Sequence, residues 1–438
     1  MGIGLGSRVP CLRRQGVLAL GVSVALCACD GARDGDPTVG QATAEQLGAL
    51  GYVDWVEEDD DLSRRGVTHR DPRAFESLTL YKSRPRPEAY LIDLDGTVVH
   101  TWKAPKLDVT DWWGLAAFFY RYGSKMSWGH VEVQPGGDLL AIVKDRNIEK
   151  VSWDSQLIWR TRVKAHHDLD VLPDGRILTL SQDFAELATP DGPVTIVDNA
   201  IVTLSAEGEV LKELWLSSLF GDRIPPDRLA AIGAADARGE GSDEKTTKLR
   251  DVFHANTVDV LRRDVPGLGR AGQVLISIRE LDLVAVVDAD EPAIVWEWGP
   301  GQLQRQHHPS VLPNGNLLIF DNGTTRKVTR VVEVAPTTGE IVWQYRSSPP
   351  EAFYSSTRGG AQWLPGDHFL ITESNSGRAF EIDRDGTILW EFMNPDIDSW
   401  KDKRSALYRT ERLTPDRVAT LPLAPSVAAQ EYGSRDPR

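Results

Sequence analysis

Residues 307–343 read HHPSVLPNGNLLIFDNGTTRKVTRVVEVAPTTGEIVW and contain two hairpin patterns in succession. In the first, a Pro-x-Gly turn separates two apolar segments. In the second, a polar turn precedes a strand that ends in tryptophan. Apolar segments on both sides of such turns are typical of β-hairpins. Two consecutive hairpins predict a four-stranded antiparallel sheet, which is the blade of a β-propeller.

The tryptophan-ended hairpin recurs along the chain. Its copies are LIDLDGTVVHTW (91–102), VSWDSQLIW (151–159), IVTLSAEGEVLKELW (201–215), VVDADEPAIVW (286–296), VVEVAPTTGEIVW (331–343) and AFEIDRDGTILW (379–390). Successive tryptophans are 57, 56, 81, 47 and 47 residues apart, so the basic period is near 47. Six copies of a blade-sized unit predict an all-β, six-bladed propeller.

Unpaired hairpins at the two ends of the array predict how the ring closes. The hairpin that ends at Trp102 has no Pro-x-Gly hairpin before it, and RTERLTPDRVAT (409–420) supplies the missing one. We therefore expect one blade to be built by pairing N- and C-terminal strands. The propeller is predicted to span residues 65–425, followed by a tail at 426–438.

Two insertions interrupt the array. The segment 104–128 is rich in aromatic residues, and the segment 216–250 is polar. We interpret the aromatic insertion as a helix packed on the propeller, with a lid over its mouth or a membrane contact as alternatives. The polar insertion accounts for the longest gap between tryptophans.

The N-terminal segment indicates export. Three arginines precede an apolar run at residues 16–28, which is too short for a membrane span. Residues 1–28 are therefore predicted to be a signal peptide. The sequence Leu-Cys-Ala-Cys at 26–29 has the pattern of a bacterial lipobox, which predicts lipidation of Cys29. An ordinary signal peptide with incidental cysteines is the alternative.

Residues 29–64 are predicted to form a flexible linker between the lipid and the propeller. The chain is then expected to be anchored on the periplasmic side of a membrane in the cell envelope. Asp30 is similar to the inner-membrane retention signal of enteric lipoproteins, which suggests that membrane.

All three cysteines lie within the first 29 residues, so the propeller has no disulfide and no cysteine ligand or nucleophile. The formal net charge is −15, and loss of three arginines with the signal makes it −18. Such acidity argues against nucleic acid as a partner.

A column of polar residues is predicted to face the propeller axis. The first residue of each innermost strand can be aligned by counting back six from the turn proline, which gives Gly129, His167, His307, Gly359 and Arg409. The strand HANTVDVL places His254 in the same column. Where the next strand returns to this face, the blades carry Lys144, Gln182, Arg279, Asn322 and Ser374.

Three histidines at one repeat phase, with Arg279 and Arg409 nearby, predict an active site on the axis. The neighbouring His166 and His308 are expected to point away from the axis because strand side chains alternate. Three imidazoles could bind zinc. Two arginines disfavour a dication and attract an anion, so we expect anion chemistry with no metal and no cofactor.

The sequence resembles the bacterial aryl sulfotransferases that use phenolic sulfate esters instead of a nucleotide donor. The matching stretches are TLYKSRPRPEAYLIDLDGTVVHTW (79–102), HHDLDVLPDG (166–175), FHAN (253–256), SIR (277–279), QHHPSVLPNGNLLIFDNG (306–323) and YRT (408–410). Together they cover roughly residues 65–420.

The resemblance implies ping-pong transfer of a sulfuryl group from an aryl sulfate donor to a phenolic acceptor through a sulfated histidine. The residue that matches the nucleophile is His307. The residues that match its catalytic helpers are His254, Arg279 and His167. Asn256, Arg409 and Asn322 are predicted to bind substrate. The active site of characterised members lies near a disulfide that this chain lacks, so the identity of donor and acceptor stays open.

Two other classes of function remain as alternatives. A non-catalytic envelope propeller could hold an anionic ligand or a protein partner at its axial mouth. A quinoprotein dehydrogenase fits less well, because no cysteine pair is available for the cofactor. The sequence does not indicate an oligomeric state.

Overall fold

A computed structural model of the chain describes residues 61–83, 86–105, 128–240, 244–398 and 402–424. In these residues the strands form five four-stranded sheets, one five-stranded sheet and a short two-stranded sheet. The prediction of an all-β, six-bladed propeller is confirmed. The predicted signal peptide and Cys29, nearly all of the aromatic insertion and the predicted tail lie outside the described residues.

We number the blades from the first complete one in the chain. Blade one contains Trp128–Val133, Leu139–Val143, Asn147–Val151 and Leu157–Thr161. Blade two contains Ala165–Val171, Ile177–Leu187, Val194–Leu204 and Val210–Trp215. Blade three contains Ala255–Val260, Val274–Ile278, Leu283–Asp288 and Ala293–Trp298.

The remaining blades follow the same antiparallel order, from the innermost strand outward. Blade four contains His307–Val311, Leu317–Asp321, Arg330–Ala335 and Glu340–Tyr345. Blade five contains Gly360–Leu364, His368–Glu373, Arg378–Ile382 and Ile388–Met393, with Gly66–Arg70 as a fifth strand on its outer edge. A two-stranded sheet, Ile397–Asp398 with Lys403–Arg404, follows blade five.

Blade six combines strands from distant parts of the chain. Its order is Leu407–Arg412, Thr79–Ser83, Glu88–Ile92 and Val98–Lys103. Thr79 lies opposite Arg412 in the antiparallel ladder between the first two strands. The expected hairpin at 409–420 was wrong in one respect, because Pro415–Ala419 forms a short helix. Proline at the first turn of a helix has no intrahelical hydrogen bond to lose, which favours this ending.

The repeated tryptophans link each blade to the next. Five of the six donate their indole N–H to a backbone carbonyl in the following blade, at 2.9–3.2 Å. Trp390, for example, donates to the carbonyl of Leu94 in blade six at 2.9 Å. An indole N–H that packs between blades needs such a partner, so the repeat of tryptophan in the sequence reflects the contact between blades.

Blade two has longer strands than the other blades, and the polar insertion packs beside it. The two middle strands of blade two each have 11 residues, against five or six in the other blades. In its described residues the insertion forms three helices, Ser217–Phe220, Pro226–Ala237 and Glu244–Arg250, with a 3-10 turn at Gly221–Arg223 after the first. Other 3-10 turns lie at Arg279–Leu281 and Pro350–Ala352. Phe220 and Ile232 of these helices are fully buried against apolar residues of blades two and three.

No helix in the described part of the chain is both long enough and apolar enough to cross a membrane.

Candidate active site

Three of the predicted histidines come together where the innermost strands of blades two, three and four begin. The rings of His167 and His254 meet edge to face, with centroids 4.8 Å apart. His307 is 5% exposed and begins the innermost strand of blade four, and the neighbouring Gln306 carbonyl accepts a hydrogen bond at 2.9 Å from Asn256, two residues after His254. His167 and His254 are thus in contact, as their shared column in the alignment predicts, and the catalytic roles of the three histidines stay predictions.

The backbone at the cluster is unusual for histidine. His167 and His254 have φ values of 59° and 47°, in the left-handed region. Histidine is found there only occasionally, and such backbone strain is concentrated at functional sites. The strand register also shifts next to each residue, between Thr179 and Leu180 in the ladder of His167 and between Ala255 and Thr257 after His254.

Hydrogen bonds fix the tautomer of His307. Its Nδ1 lies 2.7 Å from Oδ1 of Asn322 and 3.0 Å from the carbonyl of Arg305. The amide nitrogen of Asn322 donates to the carbonyls of Ser355 and Arg358 at 2.7 and 2.9 Å, so its oxygen faces His307. Because both partners of Nδ1 are acceptors, Nδ1 carries the hydrogen and Nε2 keeps its lone pair.

The electrostatic surroundings keep His307 neutral. Burial and the neighbouring Arg279 guanidinium hold the pKa of His307 well below its usual range, despite the opposing hydrogen bonds. A neutral imidazole with a fixed Nδ1–H presents Nε2 as a nucleophile at physiological pH. His307 therefore has the protonation state that covalent catalysis requires.

Asn256 supports the backbone at His307. It is 1% exposed, and its Nδ2 donates to the carbonyl of Gln306 at 2.9 Å. The side chain of Gln306 in turn donates to Ser277 Oγ at 3.0 Å and to the Leu283 carbonyl at 2.9 Å. These bonds tie the start of blade four to blade three. The predicted substrate-binding residues Asn256 and Asn322 thus form hydrogen bonds with protein groups at and beside His307.

Arg279 is a buried cation beside the cluster. It is 4% exposed, and its Nη1 donates to Glu280 Oε1 at 2.6 Å. Glu280 also forms an ion pair with Arg305 and accepts a hydrogen bond from Arg228 at 2.7 Å. One carboxylate thus has three guanidinium groups around it, and of these the Arg279 guanidinium acts on His307 by lowering its pKa.

Asp251 contacts His254 and was missed by the sequence reasoning. Its Oδ2 lies within hydrogen-bond distance of Nδ1 of His254, three residues later in the chain. Asp251 directly follows the helix Glu244–Arg250 of the polar insertion. The signal available in the sequence was the short segment DVFH at 251–254, in which an acidic residue precedes the aligned histidine.

His167 and His254 line a cavity of about 270 Å³, which we call the histidine cavity. Its other lining residues come from blades one and two and from the insertion, and are Lys144, Asp145, Lys164, Gln182, Asp183, Phe184, Val197, Thr247 and Asp251. Phe184 is 52% exposed. The histidine cavity therefore lies on one side of the propeller, and its wall contains both cationic and aromatic side chains.

The propeller axis carries a second cavity of about 380 Å³, which we call the channel cavity. All six innermost strands contribute to it, through His130, Asp168, Thr257, His308, Gln362 and Arg409 among others. Burial raises the pKa of Glu132 to about 8 and that of Asp259 to about 7 in this cavity. Its lining of carboxyl groups and arginines differs from that of the histidine cavity.

Two predictions about the axial column were wrong. Arg409 does not join the three histidines, because it lines the channel cavity and donates to Asp168 at 2.9 Å. His308 faces the same cavity instead of pointing away from the axis. The cause is a register shift between His307 and Ser310 together with a φ of 48° at His308, which break the alternation of side chains.

Among the described residues, no group of three or more His, Cys, Asp or Glu side chains has an arrangement that could hold a metal ion.

Gly323 is required for the placement of Asn322. It has a φ of 68°, and an added Cβ would lie 1.9 Å from the carbonyl oxygen of Val328. Gly315 also has positive φ, at 92°, but its added Cβ would meet Val265 Cγ1 at an ordinary 3.5 Å. An alanine at either position would have an unfavourable φ, but only an alanine at 323 would also collide with the backbone.

We expect Gly323→Ala to lower the free energy of unfolding by roughly 1–3 kcal/mol more than Gly315→Ala, because only the first change forces the backbone apart. Chemical denaturation of both variants measures the difference. Equal losses of stability would contradict this account of Gly323.

Comparison with known proteins gives a family match and several distant structural likenesses. The sequence model of the family described as arylsulfotransferase (ASST) matches residues 130–395, more than half of the 438-residue chain. A search of curated protein sequences found no significant match.

Three solved structures illustrate the structural likeness. A protein of unknown function from Bacteroides caccae has 13% identity and a TM-score of 0.45, with 77% of this chain and 98% of that chain covered. A streptogramin B lyase has 11% identity and a TM-score of 0.41, with coverage of 76% and 89%. The β-propeller domain of Cps50 (Swd1) from Myceliophteria thermophila has 12% identity and a TM-score of 0.39, with coverage of 76% and 90%.

Proposed function

The chain belongs to the arylsulfotransferase family, and from this premise we propose that it transfers a sulfuryl group from a phenolic sulfate ester to a phenolic acceptor through a covalent intermediate on His307. The observation that carries this proposal is the hydrogen bonding of His307. Asn322 and the Arg305 carbonyl hold its Nδ1–H, which leaves Nε2 as a neutral nucleophile.

In the first half-reaction, the lone pair of His307 Nε2 forms a bond to sulfur while the bond between sulfur and the aryl oxygen breaks. The electron pair of the broken bond stays on the phenolate oxygen, which takes a proton from His254. The His307 ring gains positive charge as the N–S bond forms. Asn322 Oδ1 stabilises that charge through the hydrogen bond from Nδ1.

The second half-reaction runs the same chemistry in reverse with the acceptor. The phenol gives its proton to His254, its oxygen bonds to sulfur, and the N–S electron pair returns to His307. His254 thus serves as acid and then as base, so the enzyme regains its starting protonation state. His167, whose ring contacts that of His254, contributes a second neutral donor at the cluster.

Negative charge on the sulfuryl oxygens needs fixed positive groups during transfer. Arg279 meets this need because it is buried and held by Glu280 beside the histidines. In the histidine cavity, the half-exposed ring of Phe184 offers an apolar face on which an aryl group can pack. These features favour a small aromatic anion as substrate.

The test is covalent labelling of the wild-type protein. Incubation with 4-nitrophenyl sulfate in the absence of acceptor should add the mass of one sulfuryl group to the intact chain and release 4-nitrophenol in a burst. Peptide mapping should place the group on His307. If no aryl sulfate in a broad panel modifies the protein, the alternative of a non-catalytic propeller that binds an anionic ligand or a protein partner becomes the better one.

We further propose that the chain is a lipoprotein of the cell envelope, anchored through Cys29 on the periplasmic side of a membrane, with Asp30 suggesting the inner membrane. Cys29→Ala should shift the protein from the membrane fraction to the soluble fraction of fractionated cells, because it removes the site of acylation. A variant that stays with the membrane would contradict anchoring through Cys29.

A further inference from the structure

Asp251 and His254 form a half-buried pair in which only one carboxylate oxygen has a hydrogen-bond partner. Oδ2 of Asp251 meets Nδ1 of His254, whereas its buried Oδ1 has no hydrogen-bond partner. A carboxylate accepts but does not donate, so Nδ1 of His254 must carry a hydrogen. Nε2 is then the nitrogen of His254 that is available to a substrate.

The pair is held in place by the polar insertion. Arg228 donates to the carbonyl of Asp251 at 2.7 Å, to that of Leu249 at 3.0 Å and to that of Lys248 at 3.2 Å. The same guanidinium donates to Glu280 at 2.7 Å, the residue that also holds Arg279. One side chain thus connects the segment that carries Asp251 to the cation of the active site.

The charge on Asp251 is stable. Although burial acts to raise it, the pKa of Asp251 is lowered to about 2, because the His254 imidazole and the Arg279 guanidinium favour the carboxylate. The group is therefore an anion at neutral pH. A fixed anion at Nδ1 stabilises a positive charge on the imidazole ring.

We propose that Asp251 is a positioning residue for sulfuryl transfer, which orients His254 and stabilises its protonated form so that Nε2–H protonates the departing phenolate. This inference rests on the proposed function. It assigns a role to the insertion at 216–250, which brings an acidic residue to a histidine of the propeller. Asp251 itself touches neither the sulfuryl group nor the reacting oxygen.

The dependence of rate on the leaving group distinguishes this role from a structural one. A phenolate that is a poor leaving group needs its proton in the transition state, whereas 4-nitrophenolate leaves with little help. Loss of the Asp251 charge should therefore slow sulfation by phenyl sulfate far more than sulfation by 4-nitrophenyl sulfate. Simple misfolding would slow both reactions by the same factor.

The experiment measures single-turnover sulfation of His307 in the full-length protein with both donors. We expect Asp251→Asn to reduce the rate with phenyl sulfate by roughly 10²-fold or more, and the rate with 4-nitrophenyl sulfate by roughly 10-fold or less. In the His254→Ala variant, adding Asp251→Asn should not change the ratio of the two sulfation rates further. The reason is that His254, the proton donor that Asp251 orients, is already absent.

Asp236→Asn is the matched control. Asp236 lies in the same insertion and accepts hydrogen bonds from Arg250 and the Thr195 N–H, so this variant tests loss of an insertion carboxylate that does not touch a histidine. It should change thermal stability but leave the ratio of the two rates as in the wild type. If Asp251→Asn does not fold, Asp251→Glu replaces it, since the charge is kept but displaced from Nδ1, and it too should slow phenyl sulfate more.

Equal rate losses with the two donors in Asp251→Asn, or in Asp251→Glu where the first variant does not fold, would overturn the role of Asp251. That result would leave the proposed function intact, because the wild type would still be sulfated on His307. A wild-type protein that neither donor modifies would overturn both.

Discussion

His307→Ala should eliminate both the covalent sulfated form of the protein and its turnover of aryl sulfates. In the proposed mechanism, the side chain provides the only atom to which sulfur is bonded between the two half-reactions. The arrangement around its Nδ1, with Asn322 at 2.7 Å and the Arg305 carbonyl at 3.0 Å, is specific to this residue. Neither His254 nor His167 has this pair of neutral acceptors, so we expect no replacement of the nucleophile.

The size of the effect separates His307 from its helpers. Arg279→Ala should slow turnover by roughly 10²–10³-fold while some slow sulfation of His307 persists, since it removes charge stabilisation but not the bond-forming atom. Stopped-flow release of 4-nitrophenol combined with intact mass measures both quantities in one sample.

His308→Ala is the matched control for His307→Ala. It removes an imidazole from the next position of the same strand, but from the side that faces the channel cavity. Turnover should stay within a few-fold of the wild type. Full activity in His307→Ala, or sulfate mapped to His254 or His167 in the wild type, would overturn the assignment of the nucleophile.

Deletion of residues 405–438 should abolish cooperative folding of the propeller. The deletion removes Leu407–Arg412, the innermost strand of blade six, and leaves Thr79–Ser83 without its partner in the ladder. It also removes Arg412, whose Nη1 lies 3.0 Å from Glu381 in blade five, with both side chains fully buried. Glu381 then keeps only its hydrogen bonds with Phe75 and His368, and the loss of a buried ion-pair partner is strongly destabilising.

The effect can be separated from that of the predicted tail. Deletion of 426–438 alone should leave the thermal unfolding transition in place. Differential scanning calorimetry of both truncations gives the comparison. A sharp, unshifted transition after deletion of 405–438 would contradict ring closure through the C-terminal strand.

Much of the architecture could be read from the sequence because it depends on local patterns. A blade needs apolar strands, turn residues and a tryptophan that bonds to the next blade, and each of these recurs at a visible spacing. Two features broke the pattern. A proline that marks a turn in the other blades begins a helix at Pro415–Ala419, and the strand Gly66–Arg70 joins blade five from outside the repeat.

The sequence predicted those residues of the candidate site whose position follows from the blade repeat. His167, His254 and His307 occupy equivalent positions in successive blades, so their meeting follows from the symmetry of the ring. Arg279 and Asn322 lie where the second strands return to the same face, and both adjoin the cluster. Counting back from the turn proline failed for Arg409. The register of the innermost strand shifts at different points in different blades, so equal counts do not give equivalent positions.

The sequence by itself thus determined the six-bladed ring, the family and the set of histidines, since each is a matter of residue type and spacing. Only the tertiary structure decided which nitrogen of His307 is free, because this depends on how Ser355 and Arg358 orient the amide of Asn322. It alone placed His308 and Arg409 in the channel cavity, through a register shift that strand alternation does not anticipate. It also brought Asp251 to His254, since the conformation of an insertion is fixed by packing and not by the repeat.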